Sequence, residues 1–119
     1  MSVKTTRQAG TQGEAIALEH LRSLGMQILE MNYHFRHGEI DIIARDGEVL
    51  VFCEVKMRTS DRYGDPEYAV TMRKRQQIRK IAEAYLYEHC VQQQACRFDV
   101  VAIRLMGGKP VVNYIANAF

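Results

Sequence analysis

The sequence predicts a single α/β domain, a central β-sheet with helices packed against it, in the order α-β-β-β-α-β-β. Three observations carry this. Two segments have apolar residues at helical spacing, one near the start of the chain and one after its midpoint. Two runs rich in isoleucine and valine, 38–45 and 48–56, flank an Asp46-Gly47 turn signal. Those runs are apolar on both faces, as in a sheet covered on both sides. The chain has 119 residues, which fits one domain. A chain of this length buries roughly 65% of its unfolded surface, which supports a core without disulfides or a structural metal.

Residues 1–10 are polar and are expected to form a flexible N-terminus, with one domain over 11–119. A helix is expected from Thr11. Thr11-Gln12-Gly13-Glu14 has the form of a capping box, Ala17, Leu18, Leu21 and Leu24 follow at helical spacing, and Gly25 is a natural stop. Met26 to Tyr33 reads as a strand. The hairpin 38–45/48–56 follows, then a polar loop over 57–70 containing Gly64, Asp65 and Pro66. Thr71 can cap a helix reaching about His89, with Ile78, Ile81, Ala82, Tyr85 and Leu86 as its apolar stripe. Arg97 to Leu105 and Pro110 to Ile115 are the last strands, separated by Gly107-Gly108.

The net charge is only +2, so overall charge does not mark a nucleic-acid binder. The distribution is more informative. Residues 72–80, MRKRQQIRK, hold five cations and no acid, whereas Glu39, Asp41 and Glu54 gather elsewhere. The cysteines, Cys53, Cys90 and Cys96, are odd in number and form no CxxC, so reduced thiols are expected. No apolar run approaches the ~20 residues of a membrane span, and the first residues lack a signal-peptide apolar stretch. A cytoplasmic protein without a membrane partner is the expectation.

Strand alternation concentrates charge at one end of the hairpin. With Asp46 and Gly47 as the two turn residues, Arg45 faces Glu48, Asp41 faces Phe52, Glu39 faces Glu54 and His37 faces Lys56. The charged residues then share one face, and Ile40, Ile42 and Ala44 share the other with Val49, Val51, Cys53 and Val55. Facing carboxylates destabilise a sheet unless something neutralises them. A divalent cation with oxygen ligands does so, and so does a structural ion network with Arg36, Lys56 and Arg58. Local pattern leaves both readings open.

The segment GEIDIIARDGEVLVFCEVKMR, residues 38–58, resembles the core motif of the PD-(D/E)XK nucleases. Asp41 takes the place of the first aspartate and Glu54-Val55-Lys56 that of the (D/E)XK tripeptide. Ile40 stands where the name of the superfamily has proline. Gly13-Glu14, Arg97-Phe98-Asp99-Val100-Val101 and the ending Ala118-Phe119 extend the match, and the chain from about residue 11 onward resembles the YraN-like family of bacterial proteins. The resemblance implies a restriction-endonuclease-like fold, a mixed central sheet flanked by helices, similar to archaeal Holliday-junction resolvases.

It also implies a metal-dependent phosphodiester hydrolase acting on branched or repair-intermediate DNA. Asp41, Glu54 and the Val55 carbonyl would hold Mg²⁺ or Mn²⁺. Lys56 would orient the attacking water and stabilise developing charge. Glu39 is an auxiliary candidate. Glu14 has two readings, a helix cap with Thr11 or a carboxylate brought to the metal from the first helix. Gln77 is a candidate auxiliary polar residue. Arg73 and Lys74 stand against the dipole of their helix N-terminus, which suits either a phosphate contact or a solvated face. Arg58 and Arg62 are further candidates for touching nucleic acid. His34 and His37 are poor metal candidates, Asp99 is expected in an ion pair with Arg97, and Tyr85 and Tyr87 in helix packing. Resolvase-like enzymes act as symmetric pairs, so a homodimer is one expectation. A non-catalytic nucleic-acid-binding module or a protein-interaction scaffold on the same fold is the alternative.

Overall fold

The structure, a computed structural model, describes residues 8–58 and 70–119, with side chains from Gln12 onward. The elements are α1 (Gln8–Ser23), β1 (Gln27–Phe35), β2 (Gly38–Asp46), β3 (Val49–Arg58), α2 (Met72–Glu88), β4 (Cys96–Met106) and β5 (Lys109–Ile115). The α-β-β-β-α-β-β order read from the sequence is the observed one. The five strands form one mixed sheet in the order β1-β2-β3-β4-β5. Only β3 and β4 run parallel, as a crossover through α2 requires.

The sheet is covered on both sides. Ala17 and Leu21 of α1 bury against Ile42, Ala44, Val51, Cys53, Val101 and Ile103. On the other face Ile78, Ile81, Ala82 and Tyr85 of α2 bury against Tyr33, Ile40, Ile43, Leu50 and Phe52. Strict alternation along β3 makes this division, Val51 and Cys53 facing α1, Leu50 and Phe52 facing α2.

Both helices end as their sequences dictate. Gly25 takes φ +89°, and the Met26 N–H donates to the Leu21 carbonyl at 3.1 Å, a Schellman closure. Thr71 caps α2, its Oγ accepting the Lys74 N–H at 3.1 Å. The start of α1 differs from expectation. The helix begins at Gln8, so Glu14 lies within it rather than in its first turn, and a capping box starting at Thr11 has no helix end to serve. Leu24 is half exposed and Tyr87 is 87% exposed, so neither packs as expected.

The hairpin register also differs. Gly47, at φ +63°, and Glu48 form the turn, and Asp46 pairs with Val49, Ile43 with Phe52 and Ile42 with Cys53. The pairing is displaced by two residues from the one inferred with Asp46-Gly47 at the tip. An even displacement keeps each side chain of β3 on its expected face but changes who stands opposite whom. His37 lies in the β1–β2 turn and has no partner across the hairpin.

The three cysteines carry free thiols, Cys53 buried, Cys90 and Cys96 exposed. Asp99, fully buried, accepts three bonds from the Arg97 guanidinium, one from Tyr114 Oη and one from the Asn117 N–H at 2.8 Å. The expected ion pair is present and is part of a larger network. No helix among the described residues is long and apolar enough to cross a membrane.

Candidate metal centre

Beyond the β1 bulge between Ile28 and Glu30, alternation breaks at a point shared by β1 and β2. Met31 packs toward α1 and Tyr33, two residues on, is buried toward α2. Ile42 faces α1 and Ile40 faces α2. The ladder pairs Met31 with Ile42 and Tyr33 with Ile40, so Asn32 and Asp41 stand opposite each other where both strands turn over. Asn32 has φ +52°, a left-handed conformation that asparagine tolerates better than other side chains. The sequence pattern, which put Ile40, Ile42 and Ala44 on one face, missed this reversal.

The reversal distributes the acids. Glu39 turns toward α1, where Glu14 comes down from the helix, and oxygens of Glu14, Glu39 and Asp41 lie within 4.8 Å of one another. Glu54 stays on the α2 face, with Oε2 at 3.6 Å from Lys56 Nζ and 3.7 Å from Lys74 Nζ. Glu39 and Glu54 are therefore not a facing pair, as the sequence had suggested. Asp41 stands between the two groups. Its Oδ2 accepts the Val55 N–H at 2.8 Å, beyond the last ladder pair Ile42–Cys53. A residue offers both its backbone groups to the same neighbouring strand, so the Val55 carbonyl also leaves β3 on the Asp41 side.

The electrostatics follow from crowding. Burial, then the Glu54 charge, push the Asp41 carboxyl up to about 8, with Glu39 and Glu14 adding to the rise and the Val55 N–H opposing it. Glu14 and Glu54 are themselves buried. Asn32 Nδ2 donates to Glu14 Oε2 at 3.1 Å and approaches Glu39 Oε2 at 3.5 Å. His34, exposed, sets Nε2 at 3.1 Å from Glu39 Oε1. Glu14 and Glu39 thus have an amide and an imidazole among their neighbours, and the cluster is rich in carboxylate oxygen. Its donor set is hard oxygen throughout, which fits Mg²⁺ or Mn²⁺ and does not suit a soft metal.

The structure thus brings together Glu14, Glu39, Asp41, Glu54, Val55, Lys56 and Lys74 from four elements. Gln77 is exposed on α2 and lies over the start of β2, its Nε2 only 2.8 Å from where a Cβ on Gly38 would stand. Arg58 ends β3, half-buried and in register with Arg104 of β4. Arg73 is exposed at the start of α2. Arg62 lies outside the described residues. Sequence reasoning missed Asn32 altogether. The signal available was an asparagine between Met31 and Tyr33, two residues that a strand would otherwise place on one face.

Residues 13–103 match the family described as "Uncharacterised protein family UPF0102". A UPF0102 protein of Geobacter metallireducens is 44% identical over 113 residues, covering 95% of this chain and 93% of that relative. One from Syntrophus aciditrophicus is 46% identical over 112 residues, covering 94% and 88%. One from Chlorobium chlorochromatii is 48% identical over 101 residues, covering 85% and 78%. A match spanning the first helix, the acidic hairpin and most of β4, with relatives aligned over nearly their whole length, settles the family: this chain belongs to UPF0102, the YraN-like family its motifs resemble.

Proposed function

We propose that this protein is a Mg²⁺- or Mn²⁺-dependent nuclease that hydrolyses phosphodiester bonds, with branched or repair-intermediate DNA as its substrate class. The observation that carries the reading is the convergence of Glu14, Glu39 and Asp41 within 4.8 Å, beside a Glu54–Lys56 pair on the next strand. A bound divalent ion supplies Lewis acidity toward a phosphoryl oxygen and lowers the pKa of water.

The residues of the chain do the rest. Glu14, Glu39, Asp41 and the Val55 carbonyl would hold the ion. Glu54, on β3, would be a further carboxylate for the ion. Lys56 would orient the attacking water and offset charge developing on the phosphoryl group. Lys74, Arg73 and Arg58 bind flanking phosphates, and Gln77 contributes a polar contact near Gly38.

A second reading has one observation in its favour. Lys56 and Lys74 both lie close to Glu54, at 3.6 and 3.7 Å, as in a nucleic-acid-binding module whose own lysines balance its acids. One assay separates the two. Labelled linear, single-stranded, flapped and four-way DNA are incubated with Mg²⁺ or Mn²⁺ and the protein, beside Glu54→Ala and Lys56→Ala. The nuclease reading expects metal-dependent cleavage that both substitutions abolish. Salt-sensitive binding with no cleavage under any condition would establish the module instead.

A further inference from the structure

The geometry points to Asn32 as the positioning residue of the carboxylate cluster: its side-chain amide ties Glu14 of α1 to the sheet beside Glu39, in the arrangement that takes a divalent cation. The inference rests on the cation reading above and assigns a role to a residue outside the nuclease motif. Asn32 is not a ligand here. It acts through the carboxylates it touches.

Three features support this. Glu14 and Glu39 come from different elements, α1 and β2, so their separation depends on how the helix is tied to the sheet. The Asn32 amide nitrogen lies between them, 3.1 Å from Glu14 Oε2 and 3.5 Å from Glu39 Oε2. An NH₂ group carries two donors and no charge. It can therefore orient two carboxylates without itself adding a positive charge, as a lysine would. Finally, Asn32 sits where β1 reverses its faces, in a left-handed conformation opposite Asp41. The same residue that turns the strand over also places its amide against Glu14.

A purely backbone role, supplying positive φ, is the competing explanation, and substitution separates the two. Glycine adopts this conformation freely, whereas alanine does not. Mn²⁺ is titrated calorimetrically into wild type, Asn32→Gly, Asn32→Ala, Glu14→Gln and the double variant Glu14→Gln with Asn32→Gly, and the thermal midpoint of each metal-free protein is measured.

Asn32→Gly is expected to weaken Mn²⁺ binding about tenfold, the usual loss when a group orienting a ligand is removed. Its midpoint is expected to move by no more than ~4 °C. Asn32→Ala is expected to lose the same affinity and more stability. In a Glu14→Gln background, Asn32→Gly is expected to cost little further affinity, because the amide acts through Glu14. Wild-type affinity in Asn32→Gly overturns the positioning role alone. Failure of the wild-type protein to bind Mn²⁺, or wild-type affinity in Glu14→Gln, overturns the cation reading and this inference with it.

Discussion

The carboxylate of Asp41 accepts the backbone N–H of Val55 at 2.8 Å, one step past the last pair of the β2–β3 ladder. A side chain thus takes the bond that a strand carbonyl makes elsewhere. This fixes an acid in the plane of the sheet, between Glu14 and Glu39 on the α1 side and Glu54 on the α2 side. Its proton is the most informative handle on the site.

The Asp41 carboxyl is pushed up to about 8, chiefly by burial and by Glu54, from an ordinary value of 3.8. A folded state that holds a proton the unfolded state has released is stabilised relative to it. That contribution is full below about pH 4 and disappears as pH rises through about 8. Thermal midpoints of the metal-free protein should therefore carry a falling component between these limits, absent in Asp41→Asn. Saturating Mn²⁺ should flatten it, since the cation replaces the proton. An identical pH profile in Asp41→Asn would exclude this assignment.

Lys74 is the cation whose two readings, phosphate contact or solvated face, the structure revises. Its ammonium lies 3.7 Å from Glu54. To reach a phosphate it must leave that carboxylate. Lys74→Ala should weaken binding to a labelled four-way DNA and reduce the salt slope by about one. It should also strengthen divalent-ion binding, because one competitor for Glu54 is gone. Unchanged DNA affinity and unchanged ion affinity together would remove Lys74 from the site.

Gly38 opens β2 under α2. A Cβ there would stand 2.7 Å from Ile81 Cδ1 and 2.8 Å from Gln77 Nε2. Gln77 is exposed and can swing away, whereas Ile81 is buried in the core. Gly38→Val should cost about 1–3 kcal/mol in urea unfolding and disturb Glu39 next to it. A stability loss well under 1 kcal/mol would show that α2 can move aside without cost.

Asp99 has the most fully satisfied buried charge of the described residues. It has no solvent exposure and bonds to Arg97, Tyr114 and the Asn117 N–H. Asp99→Ala leaves the Tyr114 hydroxyl and the Asn117 N–H without their carboxylate, and the Arg97 guanidinium with Asp46 as its remaining carboxylate. A loss of about 3–5 kcal/mol is expected, read from the denaturation midpoint. The paired substitution Arg97→Met with Asp99→Leu should recover part of it. If Asp99→Ala unfolds at the wild-type midpoint, the network contributes nothing to folding.

The faces of β3, the cap at Thr71, the stop at Gly25 and the Arg97–Asp99 pair were legible from residue type and spacing because each depends on neighbours in sequence. Alternation, a threonine before a helix and a glycine after one act over a few residues. Asp41, Glu54 and Lys56 were singled out by resemblance to a motif, and their placement near one another follows from the β2–β3 hairpin. The hairpin turn was less so. Asp46-Gly47 is a strong two-residue signal, yet the tip is Gly47-Glu48, and the choice between them depends on how β2 packs against β1 and both helices.

The sequence by itself determined the α/β class, the element order, the apolar content of both sheet faces and the identity of the acids. Tertiary structure decided which acids meet. The reversal at Asn32 and Asp41 sends Glu39 to the α1 face and leaves Glu54 on the α2 face, and no period-two pattern encodes a break in its own period. Glu14 is recruited from a helix that the chain brings back over the sheet, so its position depends on packing between α1 and β3, not on spacing. Side-chain alternation is a local rule, whereas the meeting of three carboxylates from two elements is a consequence of how the whole sheet is covered.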